Sequence, residues 1–211
     1  MEFLDEKILA LRNEMREQER HEEAQQVEVI AAIDLAQDLI VIKDKSIRVK
    51  TVSLLDGDIT LRMPVLFNEM PNKLAVLKYP SENRPNIIFT DESTTVNLAF
   101  SLTTSELMEE EVEQFRDELM EGMEQMQPNA QWLDMGLCSV QDKSISYFMV
   151  VTPAIDNHMY NLMFFCSLNG YALIGTFNCL EEESDIWKPI ALGIIDSIQF
   201  MQEQDEGGIM R

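Results

Sequence analysis

His158-Met-Tyr-Asn-Leu-Met-Phe-Phe-Cys-Ser-Leu-Asn-Gly-Tyr-Ala-Leu-Ile-Gly-Thr-Phe-Asn-Cys-Leu180 is nearly continuously apolar, with Asn169-Gly170 at its middle. An Asn-Gly pair is the strongest short hairpin signal, because both residues accept positive φ in a two-residue turn. The runs 158–168 and 171–180 therefore read as an antiparallel pair. Apolar side chains at successive positions point to both faces of a strand, so this pair belongs at the centre of a sheet covered on both sides. Two more strand-like runs precede it, Trp132 to Val140 and Ser144 to Thr152, giving a four-stranded meander. After it, Ser184-Asp185 can cap a closing helix with Trp187, Ile190, Ile194, Ile198 and Met201 on its inner side. Glu181-Glu182-Glu183 reads as a solvated loop whose charge favours that helix's N-terminus.

Working toward the N-terminus, Thr103 and Glu106 have the spacing of a capping box. Met108, Val112, Phe115, Leu119, Met123 and Met126 then share one helical face, opposite Glu109, Glu110, Glu113, Asp117, Glu121 and Glu124. Pro128 ends this helix. Thr95–Leu102 and 86–90 read as strands, and so does Leu74 to Tyr79. A loop, 80–85, is bracketed by two prolines. Asp56-Gly57 reads as a two-residue turn between strands at 47–53 and 58–63. Residues 1 to about 40 carry helical spacing, with Leu4, Ile8, Leu11 and Met15 on one stripe. The domain organisation expected is thus a helical segment over 1–45, a compact domain over 46–203 and a polar tail over 204–211. Hairpins imply antiparallel neighbours, so the class is α+β, with helices layered against a mainly antiparallel sheet.

Composition narrows function chiefly by exclusion. Acids outnumber bases 38 to 16, a formal charge of −22, so nucleic-acid backbones and anionic lipid would be repelled over most of the surface. No membrane insertion is expected, because the most apolar early stretch, 27–42, contains Glu28, Asp34 and Asp38. The N-terminus lacks the basic start of a secretory signal. Cys138, Cys166 and Cys179 are odd in number and lie in apolar stretches, which fits buried thiols in a reducing cytoplasm. They show no C-x-x-C pairing, and His21-Glu-Glu-Ala-Gln25 lacks the second histidine of a zinc helix. No metal and no cofactor is expected. His158, the other histidine, could pair with Asp156, and Cys166 or Cys179 could serve as a nucleophile in an enzymatic alternative.

Methionine is frequent, 14 of 211. Met108, Met120, Met123 and Met126 crowd the long helix, and methionine suits surfaces that accommodate varied apolar partners. The acidic face of that helix suits a basic partner. In the 80–85 loop Arg84 is a rare cation, and the adjoining Tyr79 offers a ring and a hydroxyl. These six residues are the candidate partner-binding positions. Leu4, Ile8, Leu11 and Met15 are the candidate oligomerisation stripe, through which the chain would build a homo-oligomer.

Asp58-Ile-Thr-Leu-Arg-Met-Pro64, Leu77-Lys-Tyr-Pro-Ser-Glu-Asn-Arg-Pro-Asn-Ile-Ile-Phe-Thr90 and Val96-Asn-Leu-Ala-Phe-Ser101 resemble the opening of the PsbP/Mog1/DcrB-like superfamily. The capped helix, Tyr171-Ala-Leu-Ile-Gly-Thr-Phe177 and the Trp187 helix continue the pattern to about residue 200. The resemblance implies an α/β/α sandwich with a central antiparallel sheet. It implies protein partners rather than substrates: a small GTPase, photosystem subunits, or apolar helices of secreted toxins held by cytosolic chaperones of type VI secretion. It supplies no catalytic residues. The expected function is a non-enzymatic cytoplasmic adaptor or chaperone, tied to secretion or to a toxin, with a structural homo-oligomer as the alternative. If the N-terminal stripe builds an oligomer, Leu11→Glu yields monomers by native mass spectrometry, whereas an unaltered oligomeric mass rules that interface out.

Overall fold

A computed structural model of the chain describes residues 32–81 and 84–201. The Leu4, Ile8, Leu11 and Met15 stripe and the 204–211 tail lie outside the described residues. Within them the elements run β1 (Leu39–Ile42), β2 (Lys45–Leu54), β3 (Ile59–Pro64), β4 (Asn68–Glu69), α1 (Asn72–Lys78), β5 (Ile87–Thr90), β6 (Asn97–Glu106), α2 (Val112–Met126), β7 (Gln131–Val140), β8 (Lys143–Pro153), β9 (His158–Leu168), β10 (Tyr171–Leu180), α3 (Ser184–Asp196) and β11 (Gln199–Phe200). This is the expected α+β class, antiparallel sheets flanked by helices.

The large sheet has seven strands in the order β4-β5-β6-β10-β9-β8-β7. The quoted segment forms its β9–β10 hairpin, paired from Tyr171↔Leu168 to Leu180↔Met159. Asn169 (φ 53°) and Gly170 (φ 80°) make the turn. On one face Tyr160, Leu162, Phe164, Cys166, Leu173, Phe177 and Cys179 enter the main core. On the other, Phe165 joins Phe148 and Val150 beneath α2. Each such large side chain, taken from exposure to full burial, contributes about 2–3 kcal/mol. The strands are therefore central because both of their faces are apolar.

The main core is closed by α3 and by a second sheet, β1-β2-β3-β11, which supplies Ile40, Val49, Leu54, Ile59, Leu61 and Met63. Trp187, Ile190, Ile194 and Ile198 point inward as the spacing predicts, but Met201 is exposed. Ser184-Asp185 makes no capping bond; a 3-10 turn over Glu181–Glu183 leads into α3, and Asp185 pairs with Lys43 at 3.1 Å.

Several local expectations are overturned. Leu35 is buried in the main core and β1 pairs with β2, so strand structure begins ahead of residue 46, in a stretch whose spacing reads as helix. Leu74 to Tyr79 is mostly helix, not strand. Pro71 opens α1, its carbonyl accepts from Leu74 and Ala75, and only one face is buried, leaving Val76 and Leu77 in solvent. The β2–β3 loop is a four-residue connection containing a 3-10 turn at Leu55–Gly57, because Leu55 as well as Asp56 takes positive φ. The Thr103–Glu106 capping box does not form. Both residues remain in β6, which pairs with β10 as far as Glu106↔Tyr171, and the ladder outcompetes one side-chain cap.

Gly175 on β10 leaves no room for a side chain in the main core. A Cβ there would lie 1.9 Å from the ring of Phe164, itself fully buried. Gly175→Ala should destabilise the fold by about 2–3 kcal/mol, the cost of overpacking a filled core. A urea midpoint equal to that of the unsubstituted chain would show the core to be looser than this.

Candidate partner-binding surface

A 3-10 turn over Glu109–Glu111 leads into α2, and the Glu111 carboxylate accepts from the Met108 N–H at 3.1 Å. The reach-back half of a capping box thus exists, five residues later than the spacing predicts. Phe115, Leu119, Met120 and Met123 pack half-buried against Phe148, Val150 and Phe165. Met108, ahead of the helix, and Met126, its last residue, are 51% and 77% exposed. Of the four methionines singled out, two therefore belong to the packed underside and two stand in solvent. Met149 is buried on the opposite sheet face.

Beside α2 runs β7, the last strand of the large sheet, with no partner on its outer side among the described residues. Leu133, Met135 and Leu137 are 44%, 56% and 48% exposed. Met135 lies opposite Phe148 and Leu137 opposite Ser146. Directly opposed residues share a face, and Phe148 packs under α2 while the Ser146 hydroxyl donates to the Val112 carbonyl. Met135 and Leu137 thus extend the α2 side of the sheet outward as an uncovered apolar ledge. Sequence reading missed this trio; its alternation is that of any half-buried strand, and edge position is decided by topology.

The electrostatics are one-sided. From Glu106 to Asp142 the sequence holds eleven acids and one base, Arg116. Arg116 is buried and already engaged, by Asp117 at 2.7 Å, Glu113 at 3.7 Å and the Gly136 carbonyl at 3.2 Å. Lys143, just beyond, pairs with Glu109 at 3.8 Å and donates to the Ser167 carbonyl. The remaining carboxylates of α2 face solvent.

Tyr79 and Arg84 sit elsewhere, near the β5–β6 side. The Tyr79 ring packs on the cluster of Met70, Ala75, Ile88 and Ala99, and its hydroxyl bonds Asn178. Burial raises its pKa, with the Asn178 bond opposing. The Lys78 ammonium donates to Asn97 Oδ1 at 3.1 Å, and Asn97 Nδ2 donates to Asn178 Oδ1 at 2.8 Å. Asn161 continues this polar row, donating to Thr152 Oγ1 at 3.0 Å. Burial lowers the Lys78 pKa, with Asp91 opposing. The sheet face between α1 and α2 is consequently crossed by amides rather than lined by an apolar groove. Arg84 is half-buried, its N–H donating to the Ser81 carbonyl at 3.3 Å. The structure does not bring Tyr79 and Arg84 together with the methionines.

A crevice of about 600 Å³ lies where residues 32–36 meet β3 and the end of α3. Its cation, Arg62, is already used: the guanidinium holds the Leu35 carbonyl at 2.5 Å, the Gln37 carbonyl at 3.2 Å and Asp38 at 2.7 Å. Ser197 Oγ accepts from the Arg62 N–H at 2.9 Å. Asp196 lines the same crevice, and burial pushes its carboxyl up.

Among the described residues no cluster of three metal-ligating side chains occurs, and no helix is long and apolar enough to cross a membrane. His158 is exposed and lies 3.7 Å from Glu181 rather than beside a thiol. Burial pushes Cys166 and Cys179 up to about 12 and Cys138 up to about 11.

No family model matches the chain, and no curated protein does. Among solved structures it is similar to the cyanobacterial PsbP protein CyanoP of Synechocystis sp. PCC 6803, with a TM-score of 0.54 and 11% identity over 77% of this chain and 98% of that one. It is also similar to LpqN of Mycobacterium tuberculosis, a protein involved in cell envelope biogenesis, with a TM-score of 0.51 and 16% identity over 76% and 95% of the two chains. At such identities the likeness shows the fold alone: the chain has the PsbP/Mog1/DcrB-like fold.

The thiols give a direct test. With a pKa near 12, the thiolate fraction at pH 8 is on the order of 1 in 10⁴, and thiolate is the reacting form. Cys166 and Cys179 should resist iodoacetamide in the native chain and alkylate after unfolding in urea. Rapid native alkylation of either, read by peptide mass, would restore the nucleophile that the enzymatic alternative needs.

Proposed function

We propose that the chain is a non-enzymatic, cytoplasmic protein-binding module, adaptor-like or chaperone-like, that docks its partner on the surface made by α2 and β7. The observation that carries this reading is the apolar trio Leu133, Met135 and Leu137, exposed on a strand whose outer edge has no partner among the described residues, beside an acidic helix. Soluble chains do not ordinarily leave several large apolar side chains together on a sheet edge unless something covers them. Met108 and Met126 extend the apolar positions to the two ends of α2. The acidic background fits a partner with a basic surface, and not a nucleic acid or an anionic membrane. Three free thiols, two of them buried, support the cytoplasmic assignment. The narrower form of the reading, an adaptor for a secreted or toxic protein, rests on the resemblance seen in the sequence and is decided by the identity of the partner.

The test is quantitative capture from the native cytosol with the tagged full chain and with a Met126→Glu/Met135→Glu variant. Both positions are exposed, so the variant should fold. A stoichiometric partner held by the unsubstituted chain and reduced about tenfold on the variant is the expected result. Equal retention by both, or no stoichiometric partner, would overturn the reading.

A further inference from the structure

Resting on that reading, we infer that β7 is an acceptor for strand addition: its outer edge takes an extended segment of a protein partner, with apolar side chains at alternate positions and lysine or arginine between them.

A sheet edge offers a row of free N–H and C=O groups, and native proteins usually blunt it with a short strand, proline, lysine or a bulge. The two edges of the large sheet differ in this respect. β4 is two residues long. β7 is ten residues long and carries neither proline nor lysine, with Asp134 as its one charge. Its single irregularity lies between Trp132 and Asp134, so pairing with β8 is regular from Asp134 to Val140. Within that stretch the Asp134 carboxylate already accepts from the Met135 N–H at 2.9 Å and the Gly136 carbonyl accepts from Arg116 at 3.2 Å, so the unblunted template is Leu137 to Val140, about 13 Å long.

An added strand would continue the pleat, so every second side chain would lie beside Met135 and Leu137 on the α2 side. Those positions of the partner must be apolar. The charge of its other positions follows from the surroundings. Eleven acids face one base across 106–142, and that base, Arg116, is buried among two carboxylates. A neutral or acidic segment would meet repulsion, and a basic one attraction. The same charge disfavours a second copy of this chain as the occupant: two-fold pairing through β7 would bring two acidic α2 faces together on chains of net charge −22 each.

The test uses the ¹⁵N-labelled full chain titrated with a blocked nonapeptide alternating lysine and valine, and with its glutamate–valine counterpart. The expected result is saturable shifts of the Leu137–Val140 amides with the lysine peptide, none with the glutamate peptide, and at least tenfold weaker binding by a Met135→Lys/Leu137→Lys variant. Shifts confined to the acidic face of α2 and insensitive to that variant would overturn the inference, as mere charge attraction. So would the absence of shifts, or a dimer already protecting β7 before peptide is added. Capture that is lost on Met126→Glu/Met135→Glu while the peptide leaves β7 untouched would retain the docking surface and remove strand addition alone; failure of both would remove the two together.

Discussion

Burial of the β9–β10 hairpin on both faces is the constraint on which the rest of the molecule depends. An ordinary antiparallel sheet can leave one face to water; these two strands cannot, because consecutive positions are apolar. One face requires the α3 layer and the small β1-β2-β3-β11 sheet, and the other requires α2 over Phe148, Val150 and Phe165. Gly175 against the Phe164 ring shows how closely the centre is filled. With the middle of the sheet fixed, β8 and β7 follow by short hairpins in the only direction left open.

That arrangement determines what remains for function. Cys166 and Cys179 fall on the core side of β9 and β10, where burial keeps them protonated. The face between α1 and α2 is crossed by Asn161, Asn178 and Asn97, of which Asn97 is bonded to Asn178 and Lys78 and Asn161 to Thr152. The crevice beside α3 has its arginine committed to the 35–38 backbone and Asp38. Exposed apolar side chains also stand on β1 and α1, but those on β7 and at the ends of α2 lie within the most acidic part of the chain.

The parts legible from sequence are those in which one local rule acts without competition. The Asn-Gly turn and the continuous apolar run place β9 and β10 at their observed bounds, and the inner residues of α3 follow from helical spacing. Where two local rules compete, tertiary pairing decides. The Thr103–Glu106 cap loses to the β6–β10 ladder, and the short Leu74–Leu77 run, equally apolar as strand or helix, becomes helix once Pro71 starts it. Two of the hairpin turns, Lys43-Asp44 and Gln141-Asp142, take positive φ without glycine and carry a weaker signal. Of the proposed docking surface, the methionines of α2 are visible in the sequence as a face. The exposure of Met135 and Leu137 is not, since alternation does not tell an edge strand from a covered one. The one legible hint is the near absence of bases between 106 and 142.

The large sheet is closed at its centre and, among the described residues, open along the outer edge of β7. Residue-resolved amide hydrogen exchange of the free full chain tests it most directly. The account predicts that β9 and β10 amides exchange only through global unfolding. Along Leu137–Val140 the alternate amides that point away from β8 should exchange as fast as exposed backbone. Slow exchange at every position of β7 would contradict it, by showing that the edge is already covered in the free protein.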